Sequence, residues 1–234
     1  MSIAQTVPNL VVAAAADLAP LEAKIAVRMR DSYGIKIRFA VGSSGMLARQ
    51  IENGAPFDVY LSANEKFVTD LAARRLVLPE TVRVYALGRL GLWSKDGGIR
   101  DPRQLTGPEV RHLAIPNPVH APYGLAARQA LERMGIWKRL EGRIVYGENV
   151  RQAFEFAASG NAEAAITSWS LLHDRGGVLI DESWHAPIIQ AGAVVASTKE
   201  PAAARRLLEF LTSEPGRALL TQHGLNCATI GKPR

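Results

Sequence analysis

The chain has 234 residues, 47% of them hydrophobic and 21% charged, with mean hydropathy near zero, which suits one large domain or two compact lobes. Its longest purely apolar run, Leu10 to Ala16, falls far short of the roughly 20 residues that a membrane helix needs. The net charge is +6, yet Arg28, Arg30, Arg74, Arg75, Arg205 and Arg206 are scattered among acids with no run of five like charges. That is the pattern of solvated helix faces, not of a nucleic-acid footprint.

Taken in order, Leu10-Val11-Val12-Ala13 reads as a buried strand. A helix over 18–33 follows, with Leu21, Ile25 and Met29 on one face and Gly34 as its stop. Ile35, Ile37, Phe39 and Val41 alternate strictly and predict a second strand; Leu47 and Ile51 mark a helix over 45–53, ended by Gly54. Asp58 to Leu61 is the third strand, and Asn64 caps a helix that runs to Arg75. Strand, helix, strand, helix, strand, helix is half of a doubly wound sheet.

Val82 to Ser94 is then one long extended stretch. A second α/β unit follows it: strand 113–115, helix 123–134, strand 144–146, helix 150–159, strand 164–167 and a short helix from Ser168. Ile188 to Ser197 is another long apolar stretch, before helices at about 201–212 and 214–223. Two extended segments bracketing a middle unit predict an inserted lobe with two crossover strands as hinge. The expected division is 1–83 plus 196–234 for lobe I and 84–195 for lobe II. Ligands bind in the cleft of such an arrangement.

Motifs for catalysis are missing. Gly42-Ser43-Ser44-Gly45 is not a nucleophile elbow, and neither a Walker A loop nor a G-x-G-x-x-G is present. His112, His120, His173, His185 and His223 show no metal-binding spacing. Cys227 is the only cysteine, so no intrachain disulfide forms. The expectation is a protein that is not an enzyme and carries no cofactor.

What stands out is how the helices open: Asp17, Ser43-Ser44, Pro122-Tyr123, Asn149-Val150 and Ser168 all follow strands. Strand-to-helix turns lie on the ligand-binding edge of a doubly wound sheet. Each helix start offers free N–H groups and the positive end of a dipole, so several converging starts can hold an anion without a cationic side chain. Ser, Asp and Asn before helices are also ordinary caps, and that reading stays open.

Two blocks carry a resemblance. Ala13-Ala14-Ala15-Ala16-Asp17-Leu18 and the ungapped run Gly42 to Ala63 resemble the periplasmic molybdate-binding proteins, the ModA family. Pro122-Tyr123-Gly124, Glu148-Asn149-Val150-Arg151 and Ala165-Ile166-Thr167-Ser168 add to it in the family's order. The resemblance implies the two-lobed type II periplasmic binding protein fold, each lobe a mixed α/β sheet. It also implies a monomeric receptor that captures molybdate or tungstate and delivers it to the membrane permease of an ABC importer, with no nucleic-acid partner.

By position, Ser44 would contribute a hydroxyl and an amide, and Tyr123 and Val150 amides. Ser168 stands where some members place an anion-reaching tyrosine, a reach that the Tyr123 aromatic would replace. Asp17 stands where several have Ser or Thr, so its carboxylate is expected to turn back and cap its own helix, leaving its amide for the ligand. Asp58 is expected to fix a neighbouring loop. Residues 1–9 carry no basic start followed by an apolar stretch, which fits a periplasmic chain whose leader was removed or a cytosolic one. The alternatives are therefore a cytosolic oxyanion-sensing domain, a receptor for another small anion, or an enzyme acting on a phosphorylated or sulfated substrate.

Overall fold

The computed structural model describes residues 7–227. β1 (Asn9–Ala15) is an interior strand of the first sheet, and its buried stretch Val12–Ala15 explains the apolar run. A 3₁₀ turn over Ala16–Leu21 follows, and α1 (Glu22–Tyr33) starts only after it. Residues 18–21, expected as the start of the α-helix, therefore belong to the 3₁₀ turn, which contains Pro20. Gly34, at φ +67°, closes α1 through N–H bonds from Gly34 to the Arg30 carbonyl and from Ile35 to the Met29 carbonyl.

β2 (Lys36–Gly42), α2 (Ser44–Glu52), β3 (Val59–Ser62) and α3 (Glu65–Ala73) complete the first unit. The Asn64 side chain caps α3 by accepting from Lys66 N–H at 2.9 Å, as the sequence predicts.

The long stretch 82–94 is two strands, β4 (Arg83–Gly88) and β5 (Leu90–Ser94), which belong to different sheets. After β5 come β6 (Leu113–Pro116), α4 (Pro122–Arg133), α5 (Trp137–Leu140), β7 (Ile144–Gly147), α6 (Val150–Ser159), β8 (Ala164–Ser168) and the short β9 (Val178–Leu179). β10 (Ile188–Val194) returns to the first sheet, and α7 (Pro201–Thr212) and α8 (Glu214–Gln222) pack beside it. α5 and β9 escape the sequence pattern, being only four and two residues long.

The strand orders are β2-β1-β3-β10-β4 and β7-β6-β8-β5-β9. β1 runs parallel to β2 and β3 on its two sides, and β6 parallel to β7 and β8. The returning strands β10 and β5 are antiparallel to their neighbours. Because β4 and β10 both lie in the first sheet, the chain crosses to the second after Gly88 and is back by Ile188. The sequence reading set those crossings at 84 and 196; extended apolar character alone cannot tell which sheet a strand joins.

Apolar clusters cover both faces of the first sheet: Leu10, Val12, Ile25 and Leu207 on one, Leu47, Tyr60 and Leu71 on the other. The core of the second sheet, including Leu113, Ile115, Leu131 and Ile166, continues into Ala15, Ala16 and Ala63 of the first. The two lobes are thus closed on each other. Scattered surface arginines pair locally, as in Arg128–Glu132 and Arg151–Glu155.

Asp58 accepts from Val11 N–H at 2.7 Å and from the Thr198 hydroxyl, tying β1 to the segment after β10. Asp58→Ala strips the acceptor from two donors and is expected to lower stability by about 1–3 kcal/mol, read by urea denaturation.

Candidate functional site

Both sheets have a switch point: the chain leaves the carboxyl end of β1 toward one side and that of its parallel neighbour toward the other, and β6 repeats this. Such points open a crevice at the carboxyl ends of the strands. Here the two crevices face each other. A small shared cavity, about 10 Å³, is walled by the turns after β1, β2, β3, β6 and β7. Asp17, Ser44, Tyr123 and Val150 all line it; Ser168 does not.

The lining contains no lysine or arginine among the described residues. Its donors are helix starts. In the first turns of α2, α4 and α6 the amides of Gly45, Gly124, Arg151 and Gln152 are already bonded within the protein. Those of Ser44, Tyr123 and Val150 have no protein acceptor among the described residues, as first-turn amides lack one inside their helix. Three positive helix ends therefore meet at one place.

Ser44 is the first helical residue rather than the cap, which is Ser43. Its Oγ accepts from Ala63 N–H at 3.0 Å, so its own proton is free to donate. The Tyr60 hydroxyl donates to the Ser44 carbonyl at 2.7 Å and fixes this turn from beneath. Ser43 Oγ meets His120 Nδ1 at 2.9 Å, and Gly45 N–H donates to the His120 carbonyl at 2.9 Å, so two bonds from α2 cross the cleft. A Cβ on Gly45 would lie 2.9 Å from that carbonyl oxygen, so the lobes approach this closely only because residue 45 is glycine.

Asn149 caps α6, accepting from Arg151 and Gln152 amides at 2.9 and 3.1 Å, and leaves Val150 N–H exposed to the cavity wall. Gln152 accepts from Glu148 N–H at 2.7 Å, one residue earlier than a strict capping box. Ser168 is buried at the end of β8; the Ser170 hydroxyl donates to the Asp17 carbonyl at 2.7 Å, and its oxygen lies 3.1 Å from Ser168 Oγ, whose proton it accepts. Ser168 thus stands one bond removed from the cavity wall.

Asp17 corrects the sequence reading most sharply. It lies inside the 3₁₀ turn, whose cap is Ala15, and makes no capping bond. Its side chain is buried and points at the hinge: Oδ2 accepts from the Tyr123 hydroxyl at 3.0 Å and from Gln190 Nε2. Gln190 also donates to the Tyr123 oxygen at 3.1 Å, and the Tyr85 hydroxyl donates to Gln190 Oε1 at 2.9 Å. A bulge between Gln190 and Ala191 bends β10 at this residue. Gly88 leaves the space that the Tyr123 phenol fills; a Cβ there would sit 2.4 Å from its oxygen. The phenol is thus committed to Asp17, not aimed at the cavity.

Burial raises the Asp17 carboxyl to about 6, against the opposing bonds from Gln190 and Tyr123 and a weaker pull from its own backbone amide. The Tyr85 and Tyr123 phenols are pushed well above their ordinary range, again mainly by burial.

Sequence reasoning missed Tyr85, His120, Ser170 and Gln190. Gln190 carried a signal, being a lone amide inside an apolar strand; the others carried none, because their partners lie 77 or more residues away. A larger depression, about 710 Å³, lies elsewhere, between α1, β2 and α6. It is an open surface groove in which Arg151 and Glu155 pair with each other.

A family model described as bacterial extracellular solute-binding protein matches residues 10–226. The chain is 30% identical to the molybdate-binding protein ModA of Rhodobacter capsulatus over 92% of this chain and 87% of that protein. Its fold is similar to the Azotobacter vinelandii periplasmic molybdate-binding protein, with TM-score 0.88, 31% identity and coverage of 92% and 98% of the two chains. The substrate-binding domain of a putative molybdenum ABC transporter from Clostridium difficile aligns with TM-score 0.71 and 27% identity, covering 94% and 99%.

A folded-state carboxyl near 6 against 3.8 favours the neutral acid in the fold. Its contribution to stability is full below pH 3.8 and is lost as pH rises through about 6. Asp17→Asn removes that loss. The variant is expected to be more stable by about 2–3 kcal/mol at pH 7.5, with the difference vanishing near pH 4, measured by denaturation at both pH values.

Proposed function

Since this chain belongs to the bacterial extracellular solute-binding proteins, and within them to the ModA molybdate-binding proteins, we propose that it is a periplasmic receptor for molybdate and tungstate that serves an ABC importer. It takes the ion between its lobes and hands it to the membrane permease. One observation carries this reading: three helix starts from both lobes converge on a cavity walled without a lysine or arginine.

A dianionic oxyanion without protons can only accept hydrogen bonds, and once stripped of water its oxygens must be filled by donors. Charge-assisted bonds contribute roughly 1.5–3 kcal/mol each, so several amides and one hydroxyl suffice for tight capture. Neutral donors also leave no buried cation when the site is empty. Phosphate at neutral pH carries protons, which an all-donor pocket leaves unpaired. Sulfate has the same charge and shape but shorter bonds, and a rigid cage stretches each contact to it.

In this reading Ser44 donates its hydroxyl and amide, and Tyr123 and Val150 donate amides. Asp17 belongs to the site, while Ser168 supports it through Ser170. The lobes are 7–88 with 188–227, and 89–187, and the receptor works as a monomer because one chain supplies both walls. The closed cavity, about 10 Å³, has room for about one water-sized group, so the lobes must hinge apart to admit an ion.

Calorimetric titration with sodium molybdate and sodium tungstate is expected to show one-to-one binding, with sulfate much weaker; no heat and no thermal shift with either metal oxyanion would sink the proposal. Ser44→Ala is expected to weaken molybdate by about 1–3 kcal/mol, roughly 5- to 150-fold. Gly45→Ala should prop the lobes apart at His120, lowering affinity and reducing ligand-induced compaction in small-angle scattering.

A further inference from the structure

The two oxygens of Asp17 are unequally served. Oδ2 takes two side-chain donors, from Tyr123 and Gln190, whereas Oδ1 is buried and has no partner at hydrogen-bond geometry among the described residues. A bare, buried carboxylate oxygen is costly, and it becomes costlier when a dianion enters the cavity that Asp17 lines. A proton on Oδ1 resolves both problems. Oδ2 keeps its two incoming bonds, and Oδ1 turns from an unmatched acceptor into a donor, on a residue that lines the same cavity as Ser44, Tyr123 and Val150.

Resting on the oxyanion-receptor reading, we propose that Asp17 joins the ligand as a neutral carboxylic acid, its Oδ1–H donating to an oxyanion oxygen. Each ion captured then draws one proton from bulk solvent onto Oδ1. No other bond forms or breaks. The carboxyl, already raised to about 6 by burial, is pushed higher by the incoming charge, so near neutral pH the empty site is ionised and the filled one protonated.

The groups that face Asp17 do not supply that proton. Tyr123 from α4 and Tyr85 from β4 are held neutral by burial. Among the elements packed on the 3₁₀ turn, α6 carries the exposed pair Arg151–Glu155, α1 carries Glu22 and Lys24, and β2 carries Lys36 and Arg38. His120, bonded to Ser43 of the cavity wall, is a further ionisable side chain nearby, and the experiment must separate it from Asp17.

The test is titration with sodium molybdate at pH 7.5 in amine buffers of different ionisation heats, whose slope counts the protons taken up. The intact protein is expected to take up about one proton per ion, and its affinity to fall about tenfold per pH unit between 6.5 and 8.5. Asp17→Asn, whose amide donates where the acid did, should bind with no proton uptake and nearly constant affinity, and His120→Gln should keep the uptake. Molybdate binding without proton uptake in the intact protein overturns this inference and leaves the receptor reading standing. Uptake that persists in Asp17→Asn and vanishes in His120→Gln overturns it as well. No binding by any of the three proteins at either end of the pH range overturns the receptor reading, and this inference with it. The count on the intact protein stands whether or not a variant folds.

Discussion

An anion taken out of water must find a donor for every oxygen it exposes, and on the proposed reading this fold meets that demand with backbone. The first-turn amides of a helix have no partner inside it. Placing three such starts around one space turns an unavoidable defect of helices into a binding surface. Everything else in the cleft serves to hold those starts in place. Ser44 is clamped by Ala63 and Tyr60, Asn149 occupies the amides of Arg151 and Gln152, and the Gly45–His120 contact sets the distance between the lobes.

The topology explains why the starts converge. In each lobe the chain moves to opposite sides of a central parallel strand, so the turns at the carboxyl ends of β1 and β6 open outward. Facing the two lobes across a pair of crossing segments brings those edges together. The returning strand β10 does more than close the sheet, for its bulge presents Gln190 to Asp17 and Tyr123. Hinge and cavity therefore share one buried polar cluster, with Asp17 at their junction. The bond from the Tyr123 hydroxyl to Asp17 joins a helix beside the second sheet to the turn after β1 of the first.

Asp17 also shows how a rule of local chemistry yields to tertiary context. Near a helix start an aspartate ordinarily satisfies itself on nearby amides. Here Ala15 occupies the cap position and Asp17 lies inside a 3₁₀ turn, with its side chain buried. Its partners come from 106 and 173 residues away. The cost of burying it is what makes it a proton-sensitive group.

Much of this architecture was written in short-range pattern. The alternation of Ile35, Ile37, Phe39 and Val41, the Gly34 stop and the Asn64 and Asn149 caps are decided by residues within a turn or two of one another, so they could be read directly. So could the candidates Ser44, Tyr123 and Val150, because a strand-to-helix turn reveals its free amides by position alone. The assignment of β4 and β10 to the first sheet could not be read, since an extended apolar segment looks the same whichever sheet accepts it. Nor could the withdrawal of Ser168 from the cavity, the commitment of the Tyr123 phenol to Asp17, or the bare Oδ1. Those depend on which distant side chains arrive first at a buried oxygen, and only the packed chain decides that.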